Sequence, residues 1–222
     1  MGFIKNEKSI LNLLKLDSVV VGNKLLKNLS LKVNVHDVVL LKGLNGAGKT
    51  SLMRTIAGLM PFSDGDIYIE NQKLTKNNHN SIVRESCSVL LTMPLQANGI
   101  LVSDYFDLHL NQLDSSEFEK LKDLFSIQYL MDKYIDQLSD GERQKVLLIK
   151  TLSKRASLYL LDEPSTFLDY KSKEILYNYL KTKTQELNKA ILICSHDLLN
   201  VEAFSNKIFL IENGSIVTWK GR

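Results

Sequence analysis

The sequence predicts an α/β layered fold with a mainly parallel sheet and a helical lobe inserted into it. Three observations carry this expectation. Residues 38–41, 158–161 and 190–194 are continuously apolar runs of strand length, the pattern of strands buried on both faces. Strand patterns alternate with helical patterns, which is the order of a layered α/β domain. From about residue 102 to 154 the pattern turns mostly helical.

The elements follow in order. Residues 29–35 alternate apolar and polar side chains, as a half-buried strand does. The buried run 38–41 comes next, then a helix over 50–57 with Gly58 placed to cap its C-terminus. Residues 66–70 alternate again. In the helical block Phe118, Leu121 and Leu124 share a face after Asp114, a suitable N-cap. After the strand at 158–161, Ile175, Leu176, Tyr179 and Leu180 form an apolar helix face. The strand at 190–194 follows, and Asn213-Gly214 between 207–211 and 215–219 is a two-residue hairpin signal.

The chain has 222 residues, 44% of them hydrophobic and 24% charged, a globular composition that excludes a disordered or fibrous protein. No linker or repeat divides it. A single domain over 1–222 is expected, with a core of about 1–88 and 155–222 and a helical subdomain of about 89–154. With 28 basic and 25 acidic residues the net charge is +3, too balanced for nucleic acid as a partner. Cys87 and Cys194 are too few for a disulfide framework, which suits a reduced, cytoplasmic setting. No apolar run reaches the roughly 20 residues that span a bilayer, and the first 15 residues lack the features of a secretory signal. Any membrane attachment must run through another chain.

The segment Gly43-Leu44-Asn45-Gly46-Ala47-Gly48-Lys49-Thr50 matches G-x-x-x-x-G-K-[ST], with a buried strand before it and a helix after it. Glycines let backbone amides curl around phosphate oxygens, and the helix adds its positive N-terminal dipole. Lys49 can reach the β- and γ-phosphates, and Thr50 can ligate Mg²⁺. The nucleotide-holding set is therefore Gly43, Asn45, Gly46, Ala47, Gly48, Lys49, Thr50 and Ser51. The strand at 158–161 runs into Asp162-Glu163-Pro164. Two carboxylates at the end of a buried strand are costly unless something uses them. Mg²⁺ would use Asp162, and Glu163 would orient or deprotonate the attacking water. His196, two residues past the strand at 190–194, is placed to reach a γ-phosphate, although a lone histidine there is more often an ordinary loop residue.

Leu138-Ser139-Asp140-Gly141-Glu142-Arg143-Gln144 resembles the signature of the ATP-binding cassette (ABC) ATPases. With the phosphate loop, Asp162-Glu163, Ser165-Thr166-Phe167-Leu168-Asp169 and His196 it makes five ordered motifs spanning nearly the whole chain. The resemblance implies an ABC-type ATPase core with an antiparallel β subdomain beside the inserted helical subdomain. It implies the ATP-hydrolysing subunit of a transporter, using ATP and Mg²⁺. It further implies a head-to-tail dimer, a homodimer on this reading, in which Ser139 and Gly141 touch the γ-phosphate held by the other subunit and Asp169 lies in a loop crossing the interface. An integral membrane partner would hold the subunit at the inner face of the cell membrane. Independently of the family, Ser139-x-x-Glu142 is a capping-box pattern that opens a helix.

Some positions depart from the family pattern. Asp140 and Glu142 stand where Gly and Gln are common, and acids near a γ-phosphate are unfavourable unless they point away or serve the cap. Register puts Val21 at the adenine-stacking position, and Thr92 or Gln96 at the lid glutamine. Residues 93–106 would dock the membrane partner or fill the helical core; Ile100, Leu101, Val102, Tyr105 and Phe106 are the apolar side chains in question. A soluble ABC ATPase of a cofactor-assembly complex is the alternative. A GTPase is excluded, because the Asn-Lys pairs starting at 23, 188 and 206 lack the Asp of the guanine-reading motif.

Overall fold

The computed structural model describes residues 12–21, 26–91, 95, 97–185 and 189–219. Strands β1 (Asn12–Val21), β2 (Leu26–Asn34) and β3 (Val38–Gly43) are followed by helix α1 (Lys49–Ile56), then β4 (Phe62–Ile69), β5 (Gln72–Lys73), α2 (His79–Ser86) and β6 (Cys87–Leu90). Helices α3 (Val102–Asp107), α4 (Ser115–Phe125) and α5 (Asp140–Ser153) come next. The chain closes with β7 (Leu158–Asp162), α6 (Tyr170–Lys183), β8 (Ala190–Cys194), α7 (Leu198–Glu202), β9 (Lys207–Glu212) and β10 (Ser215–Thr218).

Two sheets result. One is antiparallel with order β2-β1-β4-β5; the other has order β10-β9-β3-β8-β7-β6 and is parallel except for β10. The continuous apolar runs sit in the middle of the parallel sheet, where both faces are covered. Leu40, Tyr159, Leu161, Ile191 and Ile193 face the core shared with α3 to α6. Val39, Leu41, Leu158, Leu160, Leu192 and Cys194 face the core shared with α1 and the antiparallel sheet. Each such Leu or Ile buried is worth roughly 1.5–3 kcal/mol relative to leaving it exposed. Asn213 and Gly214 both have positive φ, 50° and 75°, as the two-residue hairpin demands.

The parallel sheet takes in β6, whose residues Cys87–Leu90 pair with β7. One expectation is corrected. On α4 the buried residues are Phe118, Leu121 and Phe125, while Leu124 is 40% exposed; a spacing of three then four turns Leu124 outward. Val102, Tyr105 and Phe106 are buried, with Phe106 edge-on to Phe118 at 4.7 Å, so these three fill the helical core and offer no docking surface. Among the described residues no helix is long and apolar enough to cross a membrane. Both cysteines are buried and unbridged, and burial pushes the Cys87 thiol up to about 12.

Candidate nucleotide site

Adjacent parallel strands end together. Leu41 pairs with Cys194, and Cys194 pairs with Asp162, so the loops after β3, β7 and β8 emerge side by side. In open α/β sheets this is the end where ligands bind. A cavity of 340 Å³ lies there, lined by the residues from Asn45 to Ser51 together with Asp162, Glu163 and His196. Three separate sequence signals thus meet in one hollow.

The loop after β3 needs glycine at a specific point. Gly48 has φ +100°, and a Cβ there would lie 2.9 Å from the Leu26 side chain of β2. Leu26 therefore clamps the loop against α1, a contact that no motif announces. Gly43, whose φ is +158°, lies in extended backbone; a Cβ there would be 3.0 Å from the Ile211 carbonyl oxygen. Lys49 Nζ donates to the carbonyl oxygens of Gly43 at 2.7 Å and Leu44 at 3.2 Å. These neutral acceptors hold the ammonium inside the loop, and charged phosphate oxygens are stronger acceptors for it.

Asp162 ends β7 at 2% exposure. Glu163 follows with φ 50°, a left-handed conformation that costs energy for a residue with a Cβ and is typical of functional positions. Its amide donates to the Cys194 carbonyl oxygen at 2.9 Å, which locks the turn to β8. Its Oε2 accepts the His196 amide proton at 3.0 Å, and its Oε1 lies 3.3 Å from His196 Nε2. Glu163 and His196, read from sequence as separate residues, form one unit. Burial raises the Glu163 carboxyl above its ordinary value; the His196 amide and imidazole pull the other way, and the charge of Asp162 adds to the rise.

The oxygen donors of the cavity fit a small hard cation. Thr50 and Asp162 supply one hydroxyl and one carboxylate. Among the described residues no group of three or more His, Cys, Asp or Glu could hold a metal unaided. Magnesium suits such a sparse set, since it keeps several waters and shares substrate phosphates.

The signature segment folds as its capping box demands. Ser139 caps α5, its Oγ accepting the Glu142 amide proton at 3.3 Å, while Glu142 Oε2 accepts the Ser139 amide proton at 2.9 Å. Glu142 thus serves the cap, as one of the two acceptable outcomes for this acid. Asp140 is turned outward, with Arg143 at 3.9 Å. Gln144 Nε2 donates to the Pro164 carbonyl oxygen at 2.9 Å, tying α5 to the turn that carries Glu163. A Cβ on Gly141 would lie 2.9 Å from the Phe167 carbonyl oxygen, so the loop at Phe167 packs on the start of α5. Ser139 and Gly141 do not line the phosphate-loop cavity.

Other expected residues fall differently. Val21 pairs with Leu26, close to the phosphate loop, but its side chain is wholly buried in the core beneath. It has no surface to give a base, so its expected adenine contact is not formed. Thr92 and Gln96 lie outside the described residues. Asp169 caps α6, accepting from the Ser172 amide and hydroxyl at 2.9 Å each, with Lys145 at 3.5 Å. Tyr129 and Lys133, which reach Glu142, lie in no motif and were not expected. Only the packed turn at Gln128–Leu130 brings them there.

A family model described as ABC transporter matches residues 26–166. The zinc import ATP-binding protein ZnuC of Buchnera aphidicola subsp. Baizongia pistaciae is 32% identical over 192 residues, 86% of this chain and 76% of that protein. A solved structure of the ATP-binding subunit of an ABC transporter superposes with a TM-score of 0.85 at 23% identity, covering 94% of this chain and 90% of its own. A dimeric post-hydrolysis state of the ATP-binding cassette MJ0796, bound to ADP and Pi, gives 0.80 at 23% identity, covering 94% and 100%.

Proposed function

The chain belongs to the ABC transporter family as an ATP-binding, ATP-hydrolysing subunit, and we propose that two copies of it close head to tail on two ATP molecules and reopen after hydrolysis. The observation that carries this reading is the separation of the two anion-binding helix starts. The phosphate loop, Asp162, Glu163 and His196 line one cavity, while Ser139 and Gly141 lie outside it. A second copy would bring its own α5 to the open side. A symmetric pair then holds two equivalent sites, with nucleotide as part of the interface.

Within one site the roles divide by chemistry. Lys49 and the amides from Gly43 to Ser51 bind the phosphates. Thr50 and Asp162 would hold Mg²⁺, which supplies charge neutralisation on the phosphate oxygens when bound. Glu163 orients a water and accepts its proton; His196 steadies Glu163 and faces the γ-phosphate. Phosphoryl transfer is mainly positioning and charge stabilisation, so these contacts account for most of the expected rate. Because ATP binds the closed pair better than the open one, its γ-phosphate drives the shift.

The raised Glu163 carboxyl gives a pH prediction. A base with an elevated value loses its ionised form as pH falls through that value. The acid limb of kcat/KM, which reports the free enzyme, is therefore expected above the ordinary glutamate value of about 4.3. A steady-state profile measures it, and a limb at or below that value contradicts the role of Glu163.

The closed pair would work on an integral membrane partner at the inner face of the cell membrane. Isolation of the native complex in detergent tests this. A co-purifying integral membrane chain is expected; a purely soluble complex would favour a role in cofactor assembly.

A further inference from the structure

The carboxylate of Glu142 sits where the start of α5 attracts an anion. Its Oε2 accepts two protons from Ser139, from the amide at 2.9 Å and from Oγ at 2.9 Å. Its Oε1 accepts from the Tyr129 hydroxyl at 3.2 Å and lies 3.5 Å from Lys133 Nζ. The Lys133 ammonium lies over the Tyr129 ring at 5.0 Å, so the two hold one another in place. A serine hydroxyl has a single proton. In this chain that proton is spent on Glu142, and Ser139 Oγ presents only lone pairs outward. A phosphate oxygen needs the opposite.

We propose that Glu142 is a positioning residue of the composite site. It holds the Ser139 hydroxyl in the cap until the terminal phosphate on the other subunit takes that proton, and Tyr129 and Lys133 keep the released carboxylate clear. The proposal rests on the head-to-tail reading above. Its consequence is a higher ATP requirement for closure, because a charge-assisted hydrogen bond is exchanged rather than simply gained. Glutamine at 142 would keep a carbonyl oxygen for the Ser139 amide without the charge. Removing the Tyr129 hydroxyl would instead leave the carboxylate more fully on Ser139.

The test uses the full chain carrying Glu163→Gln, and reads the ATP concentration at half-maximal dimer formation by sedimentation. Adding Glu142→Gln is expected to lower that concentration about three- to ten-fold. Adding Tyr129→Phe is expected to raise it about two- to three-fold. Tyr129 is 60% exposed, so this second variant keeps the fold even if the first does not. A residue that only caps α5 moves the melting temperature and leaves the half-point alone. An unchanged or raised half-point for Glu142→Gln, or the same direction in both variants, overturns the proposal. Ser139→Ala separates the two levels. If it weakens dimer formation while the Glu142 and Tyr129 variants do nothing, only the latch fails; if it changes nothing, the composite site fails with it.

Discussion

Glu163→Gln is expected to cut ATP turnover at least about 10²-fold while leaving ATP binding intact, because a positioned general base contributes on the order of 10²–10⁴-fold. The substitution changes little else. Glutamine has nearly the same shape, and its carbonyl oxygen can still accept the His196 amide proton that Glu163 Oε2 accepts at 3.0 Å. The left-handed turn at φ 50° is anchored by the amide bond to the Cys194 carbonyl oxygen, which the side chain does not affect. Removing a half-buried carboxylate also removes repulsion toward a γ-phosphate. Hydrolysis stops, and the ATP-bound form accumulates. Single-turnover assays with labelled ATP measure the first effect; retained turnover would show that another group handles the water.

Lys49→Met is expected to cut hydrolysis by at least about 10²-fold, the range for removing one pre-placed donor from developing phosphate charge, and to weaken ATP binding by about 10- to 100-fold, the range for losing a hydrogen bond to a charged group. Methionine fills the space of the lysine stem and leaves α1 its apolar contacts. The cost therefore falls on the ammonium. In the free chain that group bonds the Gly43 and Leu44 carbonyl oxygens, so its loss also removes two bonds that hold the loop closed. Titration calorimetry with ATP and a turnover assay report the two effects, and a melting curve shows the fold is kept. Binding equal to that of the parent chain would remove Lys49 from the phosphate site.

Much of this site was legible because its parts are local in sequence. The phosphate loop is one uninterrupted segment whose composition follows from what backbone amides need around phosphate. Strands β3, β7 and β8 declared themselves by the continuous apolar runs 38–41, 158–161 and 190–194, and their ends carry Gly43, Asp162 and Cys194 to one edge. What stayed hidden was pairwise and distant. The Leu26 contact with Gly48 joins two elements with no shared pattern. Strand β1 was missed because Ser18, at φ 55°, puts a bulge in it and breaks the alternation. Val21 was misread because register along the chain says nothing about which way a side chain points; in the fold it points into the core. The Tyr129 and Lys133 bonds to Glu142 come from turns rather than regular elements, where no periodicity exists to read.

The central claim is that one nucleotide's terminal phosphate is held by two copies of this chain. Sedimentation of the Glu163→Gln protein with and without Mg-ATP measures it directly. Twice the mass of a single chain with ATP, and a single chain with ADP, is the expected outcome. A protein that stays monomeric at saturating ATP would contradict the account.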